Sequence, residues 1–396
     1  MAALIEINIL SAYGPNSINR DGTGNVKHMI VGGDDRTVFS SACKKHGLRE
    51  YFSDKYGKTY HTRKMVNLLM EKAEALGYVE GKNKDAWAKA FDEILRESSK
   101  KKDKGEKKEQ MLTYSDAEAD FIVEYVREHG FKVTENYKND LRMLLKYVSI
   151  GIELALFGRF NAGGVGAVVP SSLHLNFSYS IDDYAGDFDY FTACDNYVES
   201  SGAGHIDHSS IASNTMYSYG NIDPVQMYRN LARAVHWDDL SEEDSNEKKK
   251  DLKREVKERL IEYIVRHIFM SPSGKQTAMA TYPVPTTVYI RVLKDGYPNT
   301  ADNAFNRVIR TVNGKYPVSV EGARRLVNFV RYDEPIQETL YKVMCFDSVA
   351  REKENWDYIG VDDELTKEMK IGYIRDLSGA ALIDLGNAID EILATA

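Results

Sequence analysis

Cysteine is scarce and scattered. Cys43, Cys194 and Cys345 are the three in 396 residues, which supplies neither a disulfide frame nor a CxxC metal site and fits a reducing cytoplasm. Long apolar runs are missing too, since none reaches the roughly 18 residues a membrane helix needs. The opening MAALIEINIL carries Glu6 and no basic n-region, so no secretory signal is expected there. No internal repeat is present. HExxH and the nucleophile elbow GxSxG do not occur. Gly274-Lys275-Gln276 resembles the end of a P-loop, but Phe269 stands where that loop needs glycine and Gln276 where it needs Ser or Thr. Gly163-Gly164-Val165-Gly166 is not a dinucleotide fingerprint. Metal-dependent hydrolysis is the main rival chemistry, because His205, Asp207 and His208 lie close together with Asp182, Asp183, Asp187 and Asp189 nearby. That cluster has no second group at ligand spacing. No metal, no cofactor and no catalytic residue are therefore expected.

What is present is a core and an uneven charge. Hydrophobic residues make up 43% of the chain, enough to bury a sizeable interior in one large domain or two. The net charge is −8, yet residues 14–64 hold ten basic residues against five acidic ones. A basic region on an acidic body suits local polyanion binding.

Gly14 to Arg49 is the stretch around which the chain is organised. It combines turn formers, basic residues, Gly32-Gly33 and a Ser-Ser helix start. Arg20 offers a guanidinium fork to phosphate oxygens. Lys27 is a point charge before a strand. Ser40-Ser41 sit where a helix begins, where serine caps and amide N–H groups are free, and Lys44-Lys45 follow within about a turn.

The spacing along the chain predicts an α+β fold. Ile5, Ile7 and Ile9 alternate with Glu6 and Asn8, as in a half-buried strand with a polar outer face. Residues 51–150 have mostly helical periodicity. Within them, Ser98 to Gln110 reads either as a nucleic-acid tail or as a solvated loop. A helix from Tyr137 to Phe157 would place Lys138, Arg142 and Lys146 on one face, either solvated or against phosphates. Gly158 to Ser180 reads either as a projecting hairpin with a glycine-rich tip or as a loop folded back on the body, and its Leu173-to-Ile181 alternation predicts a strand. Asp187 to Met227 is aromatic and polar. Further on, a helix is expected over Lys248 to Met270 and a strand over Thr287 to Leu293. Helices are expected over Ala301 to Ile309, Gly322 to Val330 and Ser378 to Ala394. Strands at both ends with helices between them suggest a sheet assembled from distant segments, with a large helical insertion.

Several of these motifs, in order, resemble the CasC family, the backbone subunits of the type I-E CRISPR surveillance complex Cascade. They are Asn19-Arg20-Asp21, Lys27, Gly32-Gly33, Ser40-Ser41 with Lys44-Lys45, Leu156-Phe157-Gly158-Arg159-Phe160, Phe188 to Ala193 with Asp195, Gly204-His205-Ile206, Gly274-Lys275-Gln276 and Asn303-Ala304-Phe305. The resemblance implies an RRM-like (ferredoxin-like) palm with a helical fingers insertion and a protruding thumb. On that scheme 1–50 begin the palm with its RNA-binding loops, 51–150 are the fingers, 151–186 the thumb and 187–396 the rest of the palm. It further implies a non-enzymatic, cytoplasmic subunit whose copies line up along a CRISPR RNA. Its other partners would be further Cascade subunits, an effector nuclease and the target DNA strand that pairs with the guide, and no membrane is involved. Base pairing would read sequence while the protein holds the backbone. The resemblance places Arg20, Lys27, Ser40, Ser41, Lys44, Lys45, Arg159, His205, Ile206, Lys275 and Gln276 at the RNA. Val165, Val168 or Val169 would be the apolar wedge between bases. Where the family has glutamine after its two serines, this chain has Ala42, and Lys44 is the expected substitute. A related alternative is a hand-like subunit that cleaves target RNA with a metal, for which Asp21, Asp34 and Asp35 are the candidate acids.

Overall fold

The computed structural model describes residues 2–81, 83–95, 111–161, 164–193, 205–310, 315–335, 337–377 and 379–396. The basic run of Ser98 to Gln110, Gly163 and Gly204 lie outside the described residues, as do the side chains of His205 and Ile206. The chain forms two compact units. The first comprises Met1–Leu48, His174–Asp223 and Leu260–Thr395, and the second Arg49–Leu173 and Pro224–Arg259.

The strands in chain order are β1 (Ala2–Ala12), β2 (His28–Val31), β3 (Asp34–Phe39), β4 (Thr59–Thr62), β5 (Leu112–Ser115), β6 (Leu173–Leu175) and β7 (Ser178–Ser180). They continue with β8 (Gly186–Ala193), β9 (His205–Ala212), β10 (Thr215–Ile222), β11 (Pro285–Gly296), β12 (Glu338–Phe346) and β13 (Lys370–Tyr373). The first unit is built on a mixed sheet in the order β13-β12-β11-β1-β10-β7-β3-β2, with β6 also pairing β10. β12 and β13 run parallel, while β1 is antiparallel to both of its neighbours, β10 and β11. The helices Val318–Asn328 and Ala380–Ala394 pack on this sheet. Leu10, Tyr217, Phe305, Leu326 and Phe346 share one core cluster.

β1 does not have the polar outer face its alternation suggests. It is the inner strand, and Glu6 and Asn8 are as buried as the isoleucines between them. A buried carboxylate requires partners. Glu6 accepts from Arg291 Nε and Tyr219 Oη, and from the Asn299 amide at 2.7 Å. Arg291 stands opposite Glu6 in the β1–β11 register and also donates to Glu334, which Lys342 Nζ reaches at 2.9 Å. The alternation therefore reports two different buried surfaces, one aliphatic and one ionic.

Three further expectations change in the structure. The Tyr137-to-Phe157 helix is broken into Glu135–Leu144, a 3-10 turn at Leu145–Tyr147 and Gly151–Phe157. Gly151 at the break has φ 73, a left-handed conformation that interrupts an α-helix. Lys146 thus leaves the face carrying Lys138 and Arg142, and Arg142 turns to Glu135 at 3.2 Å. The Leu173-to-Ile181 strand is two short strands, β6 and β7. The Ala301-to-Ile309 helix shrinks to the 3-10 turn Ala301–Asn303.

The second unit is largely helical. Trp87, Phe91, Ile122, Val126 and Leu141 fill its core, and β4 and β5 form a small antiparallel pair. The glycine-rich segment after Phe157 belongs to this unit and folds back on it, so it is not a projecting hairpin. Arg159 and Val169 exchange backbone hydrogen bonds at 2.8 and 2.9 Å. The Val165 and Gly166 amides donate to Tyr114 Oη at 3.2 and 3.1 Å. Any Cβ at Gly164 or Gly166 would press on the Tyr114 side chain, which explains glycine at both positions.

Candidate nucleic-acid interface

Four separate segments of the first unit are tied into one patch. The anchor is Asn19, whose Oδ1 accepts the Ser40 amide at 2.8 Å while its carbonyl accepts the Lys27 amide at 2.8 Å. Ser40 in turn caps the helix Ser41–Tyr56, its Oγ accepting the Cys43 amide at 3.2 Å. Such a cap is worth about 1 kcal/mol. Arg20 forms an isolated bridge with Val26, and the Val26 amide donates to Ser210 Oγ on β9 at 3.2 Å. Beside Ser210, Ser209 Oγ accepts from Lys275 Nζ. The Lys275 loop is pressed on the opening loop, because a Cβ at Gly274 would lie 2.8 Å from Ile18 Cα. Thr281 Oγ1 closes the ring by donating to the Pro15 carbonyl at 2.7 Å. Arg20, Lys27, Ser40, Ser41 and Lys275 therefore stand on directly connected backbone, and Lys45 lies one turn into the capped helix.

The cations of this patch differ in character. Arg20 is exposed, with no hydrogen-bond or ion-pair partner among the described residues. Lys27 holds its ammonium 5.5 Å from the Phe177 ring centroid, a cation–π contact. Lys275 has φ 50, a left-handed conformation uncommon for a residue with a Cβ. Gln276 faces its own loop, with Nε2 donating to the Thr281 carbonyl at 3.2 Å.

Lys44 corrects the expectation that it substitutes for a ligand-facing glutamine. It is buried, and its ammonium donates to Asn176 Oδ1 at 3.0 Å. Burial, with the charge of Lys45 adding to it, pushes its pKa down to about 7. Nearby His267 is pushed down to about 3, by burial first and by Lys44 second. Arg159 corrects a second expectation. It lies in the second unit, buried in a bidentate pair with Glu118, and also donates to the Ala167 carbonyl. Of the three wedge candidates, Val165 is buried in the core that holds Tyr114, and Val169, paired with Arg159, is buried as well. Val168 remains 58% exposed, near the still more exposed Phe160.

The element that does stand apart in the first unit is the β8–β9 hairpin, a two-stranded sheet of its own. The Ser209 and Ser210 that root it are the partners of Lys275 and Val26. Phe188, Tyr190 and Phe191 on β8 are exposed, Tyr190 by 74%. The register puts His205 opposite Ala193 and Ile206 opposite Thr192, at the far end of the hairpin. Sequence reading missed this hairpin and the roles of Asn19, Ser209, Ser210 and Asn176. The alternation in Asp187-Phe188-Asp189-Tyr190 was the available signal for β8.

The candidate acids for cleavage are engaged in local structure. Asp21 Oδ1 accepts from the Thr23 amide and hydroxyl at 2.8 and 2.7 Å, and these bonds hold its carboxyl below the usual range. Asp35 meets His28 Nδ1 at 2.8 Å, and Asp34 meets Arg310 at 3.3 Å. Among the described residues no group of three His, Cys, Asp or Glu side chains converges as a metal site. No described helix is long and apolar enough to cross a membrane.

The fold has solved counterparts. A chain of a "CRISPR RNA-guided surveillance complex, pre-nicking" superposes with a TM-score of 0.69 at 18% identity, covering 99% of this chain and 100% of that one. A chain of a "CRISPR RNA-guided surveillance complex" superposes with a TM-score of 0.64 at 15% identity, with the same two coverages. At such identities the likeness is one of fold. No curated protein matches the sequence. The family model Cas_CT1975, described as "CT1975-like protein", matches residues 5–356, and on that match the chain belongs to the CT1975-like protein family.

Proposed function

We propose that this protein is a non-catalytic, CRISPR-RNA-binding backbone subunit of a type I-E surveillance complex. Copies assemble side by side along the guide, kink it at regular intervals and present it for pairing with target DNA in antiviral defence. The observation that carries this reading is the connected patch around Asn19, where Arg20, Lys27, the capped helix start and Lys275 are held on one scaffold. Phosphate binding needs donors held on a fixed frame, and such donors grip the backbone without reading sequence. In this reading the first unit is the palm and the second the fingers. The β8–β9 hairpin rooted at Ser209 takes the thumb role expected of 151–186, and its exposed aromatics suit insertion between bases. Family membership and the fold shared with chains of surveillance complexes support the same assignment.

Purification of the protein from its own cells, followed by native mass measurement and RNA sequencing, tests it. The expected result is several copies on one RNA of uniform length. Protein free of RNA would favour a plain oligomeric scaffold and overturn the proposal. Cleavage of complementary RNA at regular intervals on adding a divalent ion would replace it with the metal-dependent nuclease alternative.

A further inference from the structure

Beside the cationic patch, the β2–β3 hairpin, β7 and the turn after Ala301 surround a cleft of about 540 Å³. Met29, Val38 and Phe177 give it apolar walls, and Asn176, Asp302 and Asn306 add polar edges. Met29 and Phe177 are 45% and 44% exposed, so the apolar surface is open to an incoming group. The polar edge is held in one orientation. Asn176 Oδ1 accepts from Lys44 Nζ at 3.0 Å and from the Tyr219 amide at 2.9 Å, which leaves the Asn176 NH₂ as the free donor. Asp302 accepts from Tyr179 Oη at 2.7 Å and from Thr300 Oγ1, and each carboxylate oxygen keeps a further lone pair. Lys27 Nζ stands over one face of the Phe177 ring, 5.5 Å from its centroid.

A flat apolar face, an edge that both donates and accepts, and a cation one step away match the parts of a nucleotide. An aliphatic side chain would use the walls but neither the fixed amide nor the lysine. We infer that this cleft holds one unstacked nucleobase of the bound RNA. Phe177 supplies the stacking face, Asn176 and Asp302 meet the base edge, and Lys27 meets the adjoining phosphate. The buried Lys44 acts as a positioning residue by fixing the Asn176 amide. The inference rests on the RNA-binding reading and adds to it a place for a base, where the patch around Asn19 accounts for phosphates.

Full-length protein bound to thiouridine-substituted single-stranded RNA tests it, with photo-crosslinks mapped by mass spectrometry and affinity measured across salt concentrations. Crosslinks to Phe177 or Met29 are expected. Phe177→Ala is expected to weaken binding about tenfold or more with the salt slope unchanged, because stacking releases no counterions. Phe177→Tyr restores the affinity. Crosslinks confined to other residues, with Phe177→Ala binding as the parent does, would overturn the base site while leaving the RNA reading intact. If the parent binds no RNA, both fall. If Phe177→Ala alters self-association of the RNA-free protein and leaves RNA affinity unchanged, the cleft seats a protein side chain and the base assignment is wrong.

Discussion

Lys44 donates its ammonium to Asn176 Oδ1 at 3.0 Å inside the first unit, one residue away from the helix face that carries Lys45. Burial holds this lysine at about 7 against an ordinary 10.5. The unfolded chain therefore binds a proton between those values that the folded chain does not, and stability rises with pH across that window. The penalty of burying the charge is complete below about 7 and gone above 10.5. Lys44→Met is expected to flatten this dependence. Urea midpoints measured across the window check it, and parallel pH profiles for parent and variant would count against the assignment.

On the proposed function, Lys45 and Lys275 would act through charge rather than through base identity. Each change to alanine is expected to weaken RNA binding about equally for unrelated sequences and to lower the salt slope by about one. Fluorescence anisotropy titrations over a range of salt concentrations measure both quantities. An unchanged slope would remove the residue from the phosphate contacts.

Ala280 closes the short helix Gln276–Met279 in a left-handed conformation, φ 47 and ψ 41. A residue with a Cβ is disfavoured there by roughly 1–2 kcal/mol. Ala280→Gly is therefore expected to stabilise the protein by about 1 kcal/mol. Denaturant unfolding monitored by circular dichroism reads the change, and a loss of stability would contradict it.

Arg159 separates a structural role from a ligand role. Arg159→Met leaves Glu118 buried without its cation, at an expected loss of about 3–5 kcal/mol in stability. Under conditions where the variant is folded, its RNA affinity is expected to equal that of the parent. A selective loss of affinity with normal stability would return Arg159 to the RNA site.

Much of the fold was legible because local rules and tertiary structure agree. Ser40 caps the helix that its position announces. Gly32 and Gly33 form the tight turn between β2 and β3 with φ of 65 and 93, and the Asn306 carbonyl occupies the space where a Gly32 Cβ would lie. What failed was the assignment of exposure. Alternation in β1 identifies a strand but not that both its faces are covered, so it suggests an exposed Glu6 where the carboxylate is buried. Lys44 carried a usable warning, since it stands four residues before Leu48 and eight before Phe52, both buried, on a single helical stripe. Val165 in the glycine-rich segment carried none. Its burial depends on Tyr114, which lies about fifty residues earlier and has no periodic relation to it.

The pairing of Glu6 with Arg291 has a consequence for how the protein comes into being. The neighbours of β1, namely β10 and β11, both lie more than 200 residues later in the chain. Without those later segments a carboxylate destined for the interior lacks its cation, and the loop bearing Arg20 lacks both Ser210 and the Lys275 segment. Such distant pairings close late. A chain cut before Lys275 therefore presents its basic opening loops without the framework that aligns them.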